Sequence, residues 1–303
     1  MESEARPDAD ADAETLFTNA AVNDPPELSA LRPIFDRLTG RPIGEGVELS
    51  NAGTNELDIS RKGFTYGETG LVTLMRVLEA ADLPSFCCVC IQFQGSAEAA
   101  AAEERCGLCD KRQRGARITD CGSGTGNLVV GACLLVAAGL ARASRVRGVE
   151  LLPTLHGAAA STLREMRAQF AAAASSGHML LPLPLPSCDV VCADLASHDL
   201  SDVDILYLCS TAFTPELVAS FASHAAHELR PGSRVITLSR AISHPAFELE
   251  RCMHSCRVSW GAETAYVHRK LSTSWLDAEG RLLTKGVAGD GQATQWTFVT
   301  LAH

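Results

Sequence analysis

No stretch of this sequence approaches a membrane-spanning helix. Leu128 to Leu140 is apolar but too short to cross a bilayer. The N-terminus has no basic region followed by an apolar one, so no secretory signal is expected. The nine histidines show neither metal-ligand nor catalytic-triad spacing, and no role is assigned to them. No long basic arm is present. The only compact basic runs are Lys111-Arg112-Gln113-Arg114 and His268-Arg269-Lys270. These absences set aside a membrane protein and a secreted one, and the chain is expected inside the cell.

Net charge is −10 over 303 residues, but it is unevenly placed. Residues 1–27 hold eight acids against Arg6 alone, and are expected to be a disordered, solvated tail. Hydrophobic residues make up 46%, enough for a sizeable core. The twelve cysteines are mostly read as small, reduced core residues. Cys106-Gly-Leu-Cys109 has ligand spacing, and Cys88-Val-Cys90 would complete a four-sulfur zinc site. A single C-x-x-C does not establish a metal, so none is assigned.

Pro26 to Leu38 reads as a short helix, and Arg41 to Ser60 as a glycine-containing loop. An amphipathic helix follows through Leu71, Leu74, Val77 and Leu78. Residues 28–84 thus form an N-terminal helical region, and 85–116 read as a surface insertion. From Arg117 the pattern becomes regular, and 117–303 is the main domain. Strands are expected to end at Asp120, Glu150, Ala193 and Cys209, with a fifth over 234–239 and helices between. Short loops between them argue a mostly parallel sheet covered on both faces. Cys256 to Trp260 and Thr264 to Lys270 read as a strand pair around Gly261, with one or two further strands near Trp296 and Phe298.

The first strand of this series leads into Asp120-Cys121-Gly122-Ser123-Gly124-Thr125-Gly126-Asn127. Alternate glycines permit positive φ and close approach of a ligand. The helix behind points free N–H groups into the turn. A dinucleotide fingerprint needs glycine at 127, where Asn127 stands. The third glycine comes one residue early, at Gly126. This D-x-G-x-G-x-G pattern resembles motif I of class I S-adenosylmethionine-dependent methyltransferases. That resemblance implies a Rossmann-like α/β fold, a mostly parallel seven-stranded sheet with helices on both faces and a closing antiparallel hairpin.

Open α/β sheets bind ligands at the carboxyl ends of their strands. Three acids sit at such ends. Glu150 is placed to accept from both ribose hydroxyls. Asp194 is placed to accept from an adenine amino group. Asp120 would hold the ammonium of a methionyl group or bond the loop backbone. The donor is already activated, so the protein mainly positions and desolvates.

Several segments occur in one order: Tyr66-Gly67-Glu68-Thr69, then Asp120 to Asn127, then Gly148-Val149-Glu150. Thr211-Ala212-Phe213-Thr214-Pro215-Glu216 and Val258-Ser259-Trp260-Gly261 follow. Together they resemble the disruptor-of-telomeric-silencing family of histone lysine methyltransferases, over about two-thirds of the chain from Tyr66 to Lys270. The resemblance implies a non-SET enzyme that methylates a lysine on the globular core of histone three in nucleosomes, hence a nuclear location. It implies that Tyr66, Glu68 and Thr69 fold over the methionine end of S-adenosylmethionine. Gly122, Ser123, Gly124, Thr125, Gly126 and Asn127 would form the rest of that cofactor site, with Asp120, Glu150, Asp194 and Leu195. Tyr66, Ser210, Phe213, Trp260 and Tyr266 would line the lysine channel and its catalytic end.

The sequence also departs from that family. Cys209-Ser210 stands where the family has an asparagine pair, and Leu195 where it has an aromatic on the adenine. Ala265-Tyr266 stands for a tyrosine pair of the channel. Nucleic-acid contact is expected through Lys111, Arg112 and Arg114. The other readings are a methyltransferase of another protein or of a small molecule, and a cofactor-binding but inactive chromatin or scaffold module.

Overall fold

Strand β1 (Ala116–Cys121) is almost entirely buried, and neighbours flank it on both sides. The computed structural model describes residues 25–40, 43–56, 69–81, 115–177, 180–211, 213–259, 261–272, 283–285 and 296–298. The acidic tail to residue 24 and the insertion to residue 114 therefore lie outside the described residues. So do the 87–109 cysteine cluster and Lys111, Arg112 and Arg114.

Strands β2 (Ala143–Glu150) and β4 (Ile205–Cys209) pair with β1 in parallel. Strands β3 (Ser187–Cys192) and β5 (Arg234–Leu238) extend the sheet outward, also in parallel. Strands β6 (Phe247–Val258) and β7 (Gly261–Lys270) form the antiparallel end. The order is β3-β2-β1-β4-β5-β7-β6. This is the expected Rossmann-like α/β sheet, mostly parallel and closed by an antiparallel hairpin. Strands β8 (Leu283–Lys285) and β9 (Trp296–Phe298) pair with each other in a separate two-stranded sheet.

One face of the sheet is covered by helices α1 (Arg32–Thr39), α3 (Leu71–Ala81), α4 (Asn127–Ala137) and α5 (Pro153–Ser175). Leu28, Phe35, Leu74, Val77, Leu134, Leu163 and Met166 share a single core with Ile118, Ile205, Tyr207 and Ile236. The N-terminal helices are thus part of the main core. Helix α4 is buried on every side, as its apolar sequence requires. Gly131 permits its close contact with α3, since a Cβ there would sit 2.8 Å from Leu74. On the other face, α6 (Pro215–Glu228) packs Phe221, Ala222 and Ala225 against Leu206, Leu208 and Val235. Pro215 opens it, and the Thr214 hydroxyl caps it by accepting from Leu217 N at 3.3 Å.

Three elements differ from the sequence expectation. The first helix breaks into a 3-10 turn at Pro26–Leu28 and then α1, because Pro33 suits only the first turn of a helix. The glycine-containing segment expected as a loop is helix α2 (Ile43–Glu56). Interior glycines cost it about 1 kcal/mol each, but α2 docks on α5. Thr154 Oγ1 donates to Leu49 O at 2.7 Å, and a Cβ at Gly53 would lie 2.5 Å from that same oxygen. Tertiary packing outweighs propensity here. Finally, β6 begins nine residues earlier than expected, at Phe247 rather than Cys256. It is the edge strand, exposed from Glu248 to Cys252, with register shifts between Leu249 and Arg251 and between Met253 and Cys256. Neither the exposure nor the shifts produce a period-2 hydrophobic signal.

Asp204 knits the amino ends of three strands. Its backbone N–H donates to Arg117 O, and its carbonyl accepts from Arg234 N, each at 2.9 Å. Its fully buried carboxylate accepts from Arg117 N at 2.9 Å and pairs with Arg230 at 3.3 Å. Asp204→Ala leaves the Arg117 amide without that acceptor and should lower unfolding free energy by about 2 kcal/mol. Chemical denaturation of the two proteins measures this.

Candidate functional site

The strand order reverses between β1 and β4, so the connections leaving their carboxyl ends diverge and open a crevice. The glycine turn fills its floor. Gly122, Gly124 and Gly126 have φ of 80, 54 and 86°, in the left-handed region that side chains disfavour. Gly122 N and Ser123 N both donate to Val149 O, at 2.8 and 3.1 Å. Gly124 N donates to Glu150 Oε2 at 2.8 Å. Every one of these bonds ties the turn to the end of β2. No side chain caps α4, whose N-cap is Gly126. Gly148 is required next door, because a Cβ there would lie 2.7 Å from Ser123 Oγ.

The three strand-end acids have different environments. Glu150 is buried, and Leu152 N reaches its other oxygen at 2.9 Å. Burial pushes its pKa up, while the amides of Leu152, Gly124 and Leu151 pull it back. Asp120 is also buried, and pairs in register with Gly148 on β2 and Tyr207 on β4. Burial and then the charge of Glu150 raise its pKa from 3.8 to about 8, and among the described residues no donor offsets them. Asp194 is exposed and closes a turn by accepting from Ala196 N at 2.9 Å.

Thr69, Asp120, Gly122, Ser123, Gly124, Thr125, Asn127, Leu128, Tyr207 and Cys209 line one small, open pocket of about 40 Å³. Of the expected cofactor residues it gathers Thr69, Asp120, Gly122 to Thr125 and Asn127. Gly126 and Glu150 stand behind the turn. Leu195 packs on the α6 side of the sheet with Phe213, whose ring end lies 3.6 Å from where a Gly122 Cβ would be. Asn127 Oδ1 accepts from Thr125 Oγ1 at 3.1 Å.

Two residues expected at the catalytic end are turned elsewhere. The Ser210 hydroxyl is fully buried and donates to Leu238 O, tying β4 to β5. Tyr266 pairs with Thr237, while its neighbours Ala265 and Val267 join the core that contains Ile118 and Tyr207. By strand alternation Tyr266 therefore lies on the α6 face, away from Asp120. Tyr66, Glu68 and Trp260 lie outside the described residues. The sequence reading missed Tyr207, Leu128 and Cys209 as pocket residues. A tyrosine in the otherwise aliphatic run Ile205-Leu206-Tyr207-Leu208 was the available signal, since a buried phenol needs a partner. Among the described residues no cluster of three or more metal-ligating side chains occurs.

Because its folded pKa lies above its ordinary value, Asp120 holds a proton in the folded chain that the unfolded chain has already lost. Its contribution to stability is full below pH 3.8 and is lost as pH rises through about 8. Asp120→Asn should flatten stability across that window and raise it above pH 8. Denaturant melts at several pH values, in ligand-free buffer, measure both.

No protein-family model and no curated protein matches this sequence. Solved structures overlap it. An RNA methyltransferase from Salinibacter ruber, in complex with S-adenosyl-L-homocysteine, is 18% identical over 63% of this chain and 94% of its own, at a TM-score of 0.37. Magnesium protoporphyrin IX methyltransferase from Synechocystis PCC 6803, with bound SAM, is 15% identical over 72% of this chain and 92% of its own, at 0.39.

Proposed function

We propose that this chain is a class I S-adenosylmethionine-dependent methyltransferase whose acceptor is a protein lysine, on the globular core of histone three in nucleosomes. The observation behind the donor is the convergence of a left-handed glycine turn and Asp120 on one pocket at the switch point, with Glu150 bonded to the turn from behind. The residues present suit that molecule. Ser123 Oγ is buried without a partner among the described residues. The Asp120 carboxyl is desolvated with no donor beside it among the described residues, which suits a cationic amino group that takes the place of its proton.

When bound, the donor supplies an activated methyl group for in-line transfer to a nucleophile. The chain's own residues position it and exclude water. Asp120 holds the ammonium, and Glu150 offers its remaining lone pairs to the ribose hydroxyls. Asp194 accepts from the adenine amino group, with Leu195 packing beside it. The acceptor rests on the ordered segments from Tyr66 to Trp260. Phe213, beside Gly122, would meet the substrate at the transfer end. Nucleosome contact through Lys111, Arg112 and Arg114, and a nuclear location, belong to the same proposal.

A second reading has an observation of its own. Cys209 and the inward-tied Ser210 leave the end of β4 without an amide side chain. This favours another acceptor, or a donor-binding module without transfer.

Calorimetry should show S-adenosylhomocysteine binding with a Kd on the order of a micromolar, abolished by Gly124→Arg. Absence of binding to the intact chain would remove the donor reading. Labelled donor should pass methyl to nucleosomes. Labelling of other proteins or small molecules in a lysate would replace the histone acceptor, and binding without any transfer would leave the module.

A further inference from the structure

Tyr207 is the largest fully buried side chain among the described residues, and it borders the donor pocket. Its hydroxyl and Thr69 Oγ1 lie 2.6 Å apart, 138 residues apart in the chain. A phenylalanine would fill the same space in the core. The hydroxyl has one evident purpose, which is its bond to Thr69.

Thr69 is held from several sides. Its backbone forms an isolated antiparallel bridge with Val258 on β6. One turn on, Thr73 Oγ1 donates to Arg257 O at 2.7 Å. The residue thus enters the pocket on a segment stapled to β6 and is oriented there by β4. Either hydroxyl can donate by geometry, and the phenol, as the stronger acid, is the favoured donor. Burial pushes its pKa well above the usual tyrosine value, which keeps the proton in place. A threonine hydroxyl has one hydrogen and two lone pairs. With Tyr207 occupying a lone pair, the Thr69 hydrogen remains for an acceptor in the pocket.

We infer that Tyr207 is a positioning residue for the methyl donor: its hydroxyl orients Thr69 Oγ1 so that Thr69 donates a hydrogen bond to an acceptor group on the bound donor. This rests on the donor reading above. It explains how a residue far from the glycine turn helps complete the site.

The test is a double-mutant cycle, read by calorimetric titration of S-adenosylhomocysteine into the full chain. Tyr207→Phe and Thr69→Val should each weaken binding by about 5- to 10-fold, the value of one hydrogen bond. The double variant should bind no more weakly than Thr69→Val alone, because Tyr207 acts only through Thr69. Thr69→Ser keeps the hydroxyl and should restore nearly full affinity. Wild-type affinity in Tyr207→Phe, even with lowered thermal stability, would reduce the pair to a structural bond and overturn the inference. So would losses that multiply in the double variant, or a Thr69→Ser variant as weak as Thr69→Val. If the wild-type chain itself does not bind, the donor reading falls and takes this inference with it.

Discussion

The carboxylate of Glu150 accepts the amide of Gly124 through one oxygen and the amide of Leu152 through the other. It thereby joins the glycine turn after β1 to the turn that leads from β2 into α5. Two further amides of the loop reach Val149 O beside it. A left-handed glycine turn has few side-chain contacts of its own, so its shape depends on these bonds. Buried acids ordinarily cost stability unless donors satisfy them. Here the donors are backbone amides whose positions the sheet register sets.

Asp120 occupies the neighbouring strand end and lacks that compensation. Two carboxyls therefore share one desolvated corner, one bonded and the other held with its proton near neutral pH. That asymmetry is chemically useful. The bonded acid holds the frame rigid, while the unbonded one, on losing its proton, pairs with a positive charge more strongly than a carboxylate in water does. Burial of both helix and strand residues around the corner, from Leu128 to Tyr207, is what keeps water from erasing the difference.

The pocket draws on segments that are remote in sequence. Thr69 arrives ahead of α3, Asp120 and the glycines on β1 and its turn, and Tyr207 and Cys209 on β4. The N-terminal helices hold these together by packing into the core of the sheet itself, with Gly131 letting α4 come close to α3. The pocket is thus a product of the whole covered face. On the opposite face, α6 and the segment around Leu200 and Val203 pack separately.

Much of this was legible in residue order alone. Asp120 to Asn127, Glu150 and the regular strand–helix alternation are local signals: glycine spacing, a run of apolar residues and an acid at its end. The parallel sheet and its antiparallel close follow from them. Three things were decided only in three dimensions. Helix α2 forms against its glycines because α5 offers Thr154 and Leu152 to pack on. The edge strand β6 carries no alternation because residues on both of its faces are exposed from Glu248 to Cys252 and its register shifts. Sheet parity then turns Tyr266 to the far face and ties Ser210 inward, while bringing Tyr207 to Thr69. A one-residue difference in a strand reverses the face a side chain occupies. Sequence therefore determined which residues could build the pocket, and tertiary structure decided which of them face it.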